Sequence, residues 1–275
     1  MLLTLTMLAC NGPEPQPFVY PDKAPGVPVA GAAEGVVEVP VGAPMGGYSA
    51  RCKLLGSASK QDNRKSHYAL SFARSTGIHH RPKVKTLWLE NGDEDLVLIK
   101  FDAIYSYDDL VREVSERLTE ATGRDLTGKV VLTASHSHAM PANFSDQVHF
   151  YLGGDKFNRE IFQRYVDAMV SVSLQAFEQR QPAAIGVNII EDWDPDDRVY
   201  RDRRGENDDL QVWDDLPAGS WKDPYAYVIR VDSVDGDPIA MAVDFGMHGT
   251  LMGEDNPMWT GDSVTGLESA LEEQF

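Results

Sequence analysis

Apolar positions recur along this chain with two periods, two residues and about three and a half, and the switching between them sets out the elements. Val84-Lys-Thr-Leu-Trp-Leu89 alternates as a strand, and Asn91-Gly92 is a hairpin dipeptide leading into the apolar run Asp95-Leu-Val-Leu-Ile-Lys-Phe-Asp102. Tyr107, Leu110, Val111, Val114, Leu118 and Ala121 then fall at i, i+3, i+4, i+7, i+11 and i+14, one continuous face of a helix. Ser106 is placed to cap its start and Gly123 its end. The apolar Val130–Ser135 run follows. Strand, helix and strand at this spacing predict a βαβ unit with parallel strands and a right-handed crossover.

A second amphipathic helix is expected over 158–179, with Ile161, Tyr165, Met169, Val172 and Ala176 on its face and Gln181-Pro182 at its end. Strands are expected at Ala183–Ile190 and Tyr225–Asp232, separated by 192–221, a stretch crowded with Asp, Arg and Gly that reads as a surface loop. Asp235-Gly-Asp237 turns the chain into Pro238–Phe245, and a last helix begins near Asp262 or Ser263 and runs to Phe275. Near the other end, Gly35–Val41 is read as a short strand, followed by a glycine-rich turn over 42–48 and a polar loop over 56–66. The pattern predicts an α/β fold, a mixed β-sheet with flanking helices, in one domain over 36–275.

Upstream, residues 10–35 are rich in proline and glycine and read as an extended tether. Residues 1–9 form a short apolar, export-signal-like segment, too short to span a bilayer. Leu8-Ala9-Cys10 resembles the lipobox of bacterial lipoproteins. That resemblance implies acylation of Cys10, a membrane tether through it, and an exported protein of the bacterial cell envelope. Cys52 is the other cysteine of the two, so lipidation of Cys10 leaves no intramolecular disulfide. A formal net charge of −18 with no basic patch excludes nucleic acid as a partner and gives no attraction to an anionic membrane surface.

Three of the seven histidines, His136, His138 and His248, stand just past the carboxyl end of an expected strand. In open α/β sheets that edge is where ligands bind. Residues i and i+2 of an extended segment share a side, so His136 and His138 are expected to aim into one space, as a metal held by neutral imidazoles requires. A lone histidine after a strand is usually structural; a His-x-His pair brings metal binding onto equal terms. Such pairs occur in metallo-β-lactamases, amidohydrolase barrels and carbonic anhydrases. The first needs Asp and His at the second and third positions after the pair, where Met140 and Pro141 stand; the second carries its pair close to the N-terminus. The acidic clusters at Trp193–Asp197 and Asn207–Asp209 lack the spacing of a calcium loop and read as solvated. Cys52 reads as a small buried residue.

Thr133-Ala-Ser-His136-Ser-His138-Ala-Met-Pro141 resembles the signature of the neutral ceramidases, threonine-histidine-threonine-histidine-serine-glycine-proline. Val41–Tyr48 is similar to the family's opening glycine turn, Gly77-Ile-His-His-Arg81 to the segment before its early strands, and Arg201–Arg204 to its asparagine-arginine motif. Asp244-Phe-Gly-Met-His248-Gly-Thr250 with Thr260-Gly-Asp262 matches a further pair of family motifs in order and spacing. The resemblance implies Zn2+ bound by His136 and His248, with His138 and, more weakly, Arg203 beside it toward the substrate. The reaction implied is hydrolysis of the amide of a ceramide-like lipid, N-acylsphingosine, to sphingosine and fatty acid. Ala139-Met140 departs from the family's serine-glycine, and Asp202 stands where the family has asparagine. A glutamate and a tyrosine complete the family's zinc sphere from further along, so the chain is expected to be the N-terminal piece of a longer enzyme. Glu254, Asp255 and Asp262 lie near His248, and loop solvation and helix capping are the roles expected of them. Two alternatives stay open: a hydrolase of the same fold acting on another amide or ester, and a non-catalytic surface lipoprotein that keeps the fold.

Overall fold

A computed structural model describes residues 26–55, 64–196, 198–199 and 223–274. Cys10, Arg203 and most of the 192–221 stretch lie outside these. The strands are β1 (Val29–Val36), β2 (Gly77–Ile78), β3 (Lys83–Asn91), β4 (Glu94–Phe101), β5 (Val130–Ala134), β6 (Gln181–Glu191), β7 (Tyr225–Ser233), β8 (Pro238–Phe245) and β9 (Met258–Trp259). The helices are α1 (Asp108–Thr122), α2 (Val148–Gly154), α3 (Arg159–Glu178) and α4 (Asp262–Glu272). Seven strands form a mixed sheet in the order β5-β4-β3-β1-β6-β7-β8, with β4 and β5 parallel and the other neighbours antiparallel. The α/β class, the β3–β4 hairpin at Gly92 and the parallel pairing of β4 with β5 across α1 agree with the sequence pattern.

The sheet is not uniform. β1 pairs with β3 along eight residues but with β6 at only two, Val29 opposite Pro182 and Ala30 opposite Gln181. Beyond this joint the β6–β7–β8 unit turns back onto the first four strands. Ala30, Leu87, Ala183 and Val231 bury together, with Leu89, Leu98, Ile229 and Ala240 packed around them. The main core lies on the opposite face, where α3 covers β1 and β3: Thr86 Oγ1 and Ser173 Oγ are 3.1 Å apart, and the rings of Trp88 and Phe177 meet edge to face at 4.8 Å. Leu110, Val114 and Leu118 of α1 complete that core. The helix α4 is held to the sheet by charge, Glu268 reaching Lys85 at 3.1 Å and Lys100 at 2.7 Å.

β1 begins inside the stretch read as a tether, and this corrects the expected boundary at residue 36. Its sequence, Val-Ala-Gly-Ala-Ala-Glu-Gly-Val, reads as a linker because its residues are small. They are small because α3 lies directly on them. A Cβ on Gly31 would stand 2.1 Å from the carbonyl oxygen of Ala176, and one on Gly35 would stand 2.6 Å from Val172 Cγ2. The valines assigned to a strand at 35–41 instead leave the sheet after Val36, and Val37 and Val39 bury their side chains in the core from irregular backbone.

Three smaller differences have local causes. Tyr107, not Ser106, occupies the N-cap of α1; its side chain makes no cap bond, and its hydroxyl instead donates to Phe144 O at 2.6 Å. The two aspartates of the first turn, Asp108 and Asp109, favour that helix end electrostatically. The seven-residue α2 is too short to show a period. It exposes Val148 and Leu152 and stacks Phe150 on Tyr105 at 3.9 Å. The last helix stops at Glu272 rather than reaching Phe275.

Gly31→Ala puts a methyl group against helix backbone that cannot move aside, and overpacking of this kind costs about 2–3 kcal/mol. Urea unfolding should show that loss. A variant as stable as the wild type would mean that α3 does not press on β1 as described.

Candidate metal centre

The strand hydrogen bonds of β5 end at Ser135, whose N–H donates to Phe101 O at 3.0 Å. The next residue, His136, has φ of 54°, a left-handed conformation unusual for a residue with a side chain. Its imidazole is fixed by Nδ1, 2.6 Å from the carbonyl oxygen of Ile104. A carbonyl only accepts, so Nδ1 carries the proton and Nε2 presents its lone pair outward. Ser137 turns inward, its hydroxyl donating to Thr260 O at 2.7 Å, and the chain then delivers His138 into a buried position.

His138 packs against the glycine-rich turn. A Cβ on Gly47, itself at φ of 88°, would fall 2.2 Å from His138 Nδ1, so any larger residue would displace the ring. Tyr48 stands edge-on to the same imidazole at 4.8 Å. His248 follows β8 by three residues. The loop after it is pinned by Asp262, whose carboxylate accepts from the N–H groups of Leu251 and Met252, each at 2.9 Å, and of Ser263 at 2.6 Å. Asp262 therefore anchors the loop and the start of α4 and stands outside the histidine group. Glu254 and Asp255 are exposed on the same loop.

The three rings converge. Their centroids are 5.0 Å apart for His136 and His138, 4.7 Å for His136 and His248, and 4.8 Å for His138 and His248. One ring nitrogen from each lies within 4.8 Å of the others, and His138 Nε2 is 2.9 Å from His248 Nε2. The pair in sequence does converge, but not by strand alternation, because β5 has ended and His136 reverses the chain. His138 Nδ1 is buried and makes no hydrogen bond among the described residues.

Burial holds the pKa of His138 well below the usual imidazole range, to about 4, helped by His136, His248 and Arg51 and opposed by Asp262. His138 is thus neutral at pH 7. Neutral imidazoles suit zinc and its neighbours in the first transition row. Tetrahedral zinc with zinc–nitrogen bonds of about 2.0–2.1 Å sets ligand nitrogens about 3.4 Å apart. The observed ring nitrogens bracket that spacing, 2.9 Å for His138 and His248 and all three within 4.8 Å, so the residues fit such an ion after small rotations of the rings.

Tyr48 and Arg51 are part of this centre and were not singled out by sequence reasoning. Their only signals were the glycine turn that carries Tyr48 and the buried cysteine, Cys52, beside Arg51. Among the remaining histidines, His80 Nδ1 lies 3.0 Å from Thr260 Oγ1 and 3.2 Å from His79 Nδ1, away from the trio. His67 packs edge-on to Tyr68, and His149 lies against Phe150.

Fold and site together define an α/β protein with a histidine centre assembled from loops that follow two strands of one sheet. Residues 61–275 match the family described as neutral/alkaline non-lysosomal ceramidase, N-terminal, and the chain belongs to that family. Neutral ceramidase A of Dictyostelium discoideum is 24% identical over 201 residues, covering 71% of this chain and 28% of that protein. The neutral ceramidase of Mycobacterium tuberculosis is 24% identical over 228 residues, covering 79% and 32% respectively. The crystal structure of neutral ceramidase from Pseudomonas aeruginosa superimposes with a TM-score of 0.66 at 20% identity, over 86% of this chain and 34% of that one, which shows a shared fold. The chain spans about a third of the length of these relatives.

The sign of the His138 shift predicts an acid sensitivity of the metal-free protein. Between the ordinary value of 6.5 and about 4, the unfolded chain takes up a proton that the native ring refuses. Stability therefore falls as pH falls through that window, by on the order of 2–3 kcal/mol. Chemical denaturation from pH 7 to 4 should show this slope in the wild type and a shallower one in His138→Asn; equal slopes would refute it.

Proposed function

We propose that this chain forms the metal-bearing part of a zinc-dependent amidase that hydrolyses ceramide-like lipids to a sphingoid base and a fatty acid. The observation that carries the reading is the meeting of His136, His138 and His248, 110 residues apart at the extremes of one contact, in a member of the ceramidase family. His136 and His248 are assigned as zinc ligands. Zinc held there supplies Lewis acidity and a water acidified to a pKa of about 7.

The chain's own side chains do the rest. The Nδ1–H bond to Ile104 O keeps His136 Nε2 unprotonated and aimed at the centre. His138, neutral and immobilised by Gly47 and Tyr48, can present an Nε2–H as a hydrogen-bond donor to the oxygen that develops charge as the amide is cleaved, without giving up the proton. Arg203 is assigned to the same pocket on its motif alone. The lipobox-like Cys10 supports export and tethering at the cell envelope, which would place the enzyme beside a lipid substrate.

One observation favours a second substrate class. Ala139 and Met140, where the family carries serine and glycine, are both fully buried beside His138. A methionine packed into the core where the family has glycine changes what backs His138, and this favours a hydrolase of the same fold acting on another amide or ester.

Zinc analysis of the purified protein should find one ion per chain, lost in His136→Ala and in His248→Ala together with fatty-acid release from ceramide. A wild type without zinc would sink the metal reading. Release from simple esters at rates above those from ceramide would transfer the assignment to the second substrate class.

A further inference from the structure

Arg51 ends a short 3-10 turn, Ser49–Arg51, and its side chain is wholly buried, with no accessible surface. A buried guanidinium is rare, and when it occurs its five N–H donors must all be satisfied. Here they are met by backbone alone. Nε donates to Glu254 O at 3.2 Å; Nη1 donates to Gly46 O at 3.1 Å and, at shorter range, to His138 O; Nη2 donates to Gly253 O at 3.4 Å and Asn256 O at 3.3 Å. The ring of Tyr48 lies beneath the charge, 4.9 Å from Cζ. No carboxylate among the described residues hydrogen-bonds to it. A charge in this position costs desolvation that an apolar side chain of the same volume would not, so packing alone does not account for an arginine.

The five carbonyls explain it better. They belong to three segments that have no strand or helix in common: the glycine turn at 46, the loop after β5 at 138, and the loop after β8 at 253–256. The first backs the His138 ring, the second is the peptide of His138 itself, and the third continues from His248 and is anchored by Asp262. We infer that Arg51 is a positioning residue of the metal centre, a planar fork that sets the distance between His138 and the His248 loop. The inference rests on the zinc reading above. Lysine carries the same charge, but its single nitrogen cannot span carbonyls on three segments.

Zinc affinity measured by competition titration, and the absorption of the Co2+-substituted protein, test this on the full chain with Arg51→Lys, Arg51→Met and Arg51→Ala. Circular dichroism would confirm that each variant is folded. Arg51→Lys and Arg51→Met are expected to bind zinc roughly 10–100-fold more weakly, the usual effect of removing a group that orients metal ligands. Their Co2+ spectra should be shifted. Millimolar methylguanidinium should restore affinity to Arg51→Ala and leave the wild type unchanged, a rescue that a general loss of packing would not give. If Arg51→Met and Arg51→Ala fail to fold, Arg51→Lys alone decides. A folded Arg51→Lys with wild-type affinity and spectrum would overturn the role of Arg51 while leaving the metal centre intact. A wild type that takes up no ion, or a His248→Ala that binds as well as the wild type, would overturn the metal reading and the role of Arg51 with it.

Discussion

The histidine centre depends on a break in step within the sheet. By hydrogen-bonding order β5 and β8 are opposite edges, six strand spacings apart. At about 4.8 Å per spacing, a flat sheet would hold the ends of β5 and β8 roughly 29 Å from each other. Yet the rings of His136 and His248 are 4.7 Å apart. The two-residue joint between β1 and β6 resolves the contradiction, because it lets the last three strands leave the plane and fold over Leu87, Leu89 and Leu98. The apolar contacts of that second, smaller core are what carry the end of β8 back to the end of β5.

Small residues and buried polar groups make the same architecture possible at short range. Gly31 and Gly35 let α3 lie on β1, and Gly47 lets backbone touch the face of an imidazole. Buried carboxylates act as anchors for irregular chain. Asp155 gathers the N–H groups of Leu70, Ser71 and Phe72, Asp262 those of Leu251 and Met252, and Asp102 that of Lys83. The first two replace strand or helix hydrogen bonds that those loops lack, and the third holds the first N–H of β3, as buried backbone requires. The strongly acidic composition is thus partly structural: some of these carboxylates bind backbone, while others, such as Glu268, hold α4 through lysines on the sheet.

Much of this was legible in the sequence where side chains alternate or cycle. β3, β4, α1, β5 and α3 stand within a residue or two of the expected positions, and the histidine trio was found from its place after apolar runs. The rest was hidden for physical reasons. β1 is disguised by the glycines and alanines that its helix contact demands. The left-handed turn at His136 leaves no mark in composition, so the convergence of His136 and His138 was expected by a route the chain does not take. Arg51 acts through carbonyls, and a side chain whose hydrogen-bond partners are all backbone has no complementary charge to betray it. Arg203 and the acidic loop around it fall outside the described residues.

The joint between the two parts of the sheet gives the metal a second consequence. An ion shared by His136 and His248 would cross-link the four-stranded part to the three-stranded part and close a loop of about 110 residues. By chain-entropy arguments a covalent bridge over such a span is worth about 4–5 kcal/mol. With Cys52 buried and free, the ion would serve as a reversible substitute for a disulfide. Availability of metal would then govern how long the molecule lasts as well as whether it reacts.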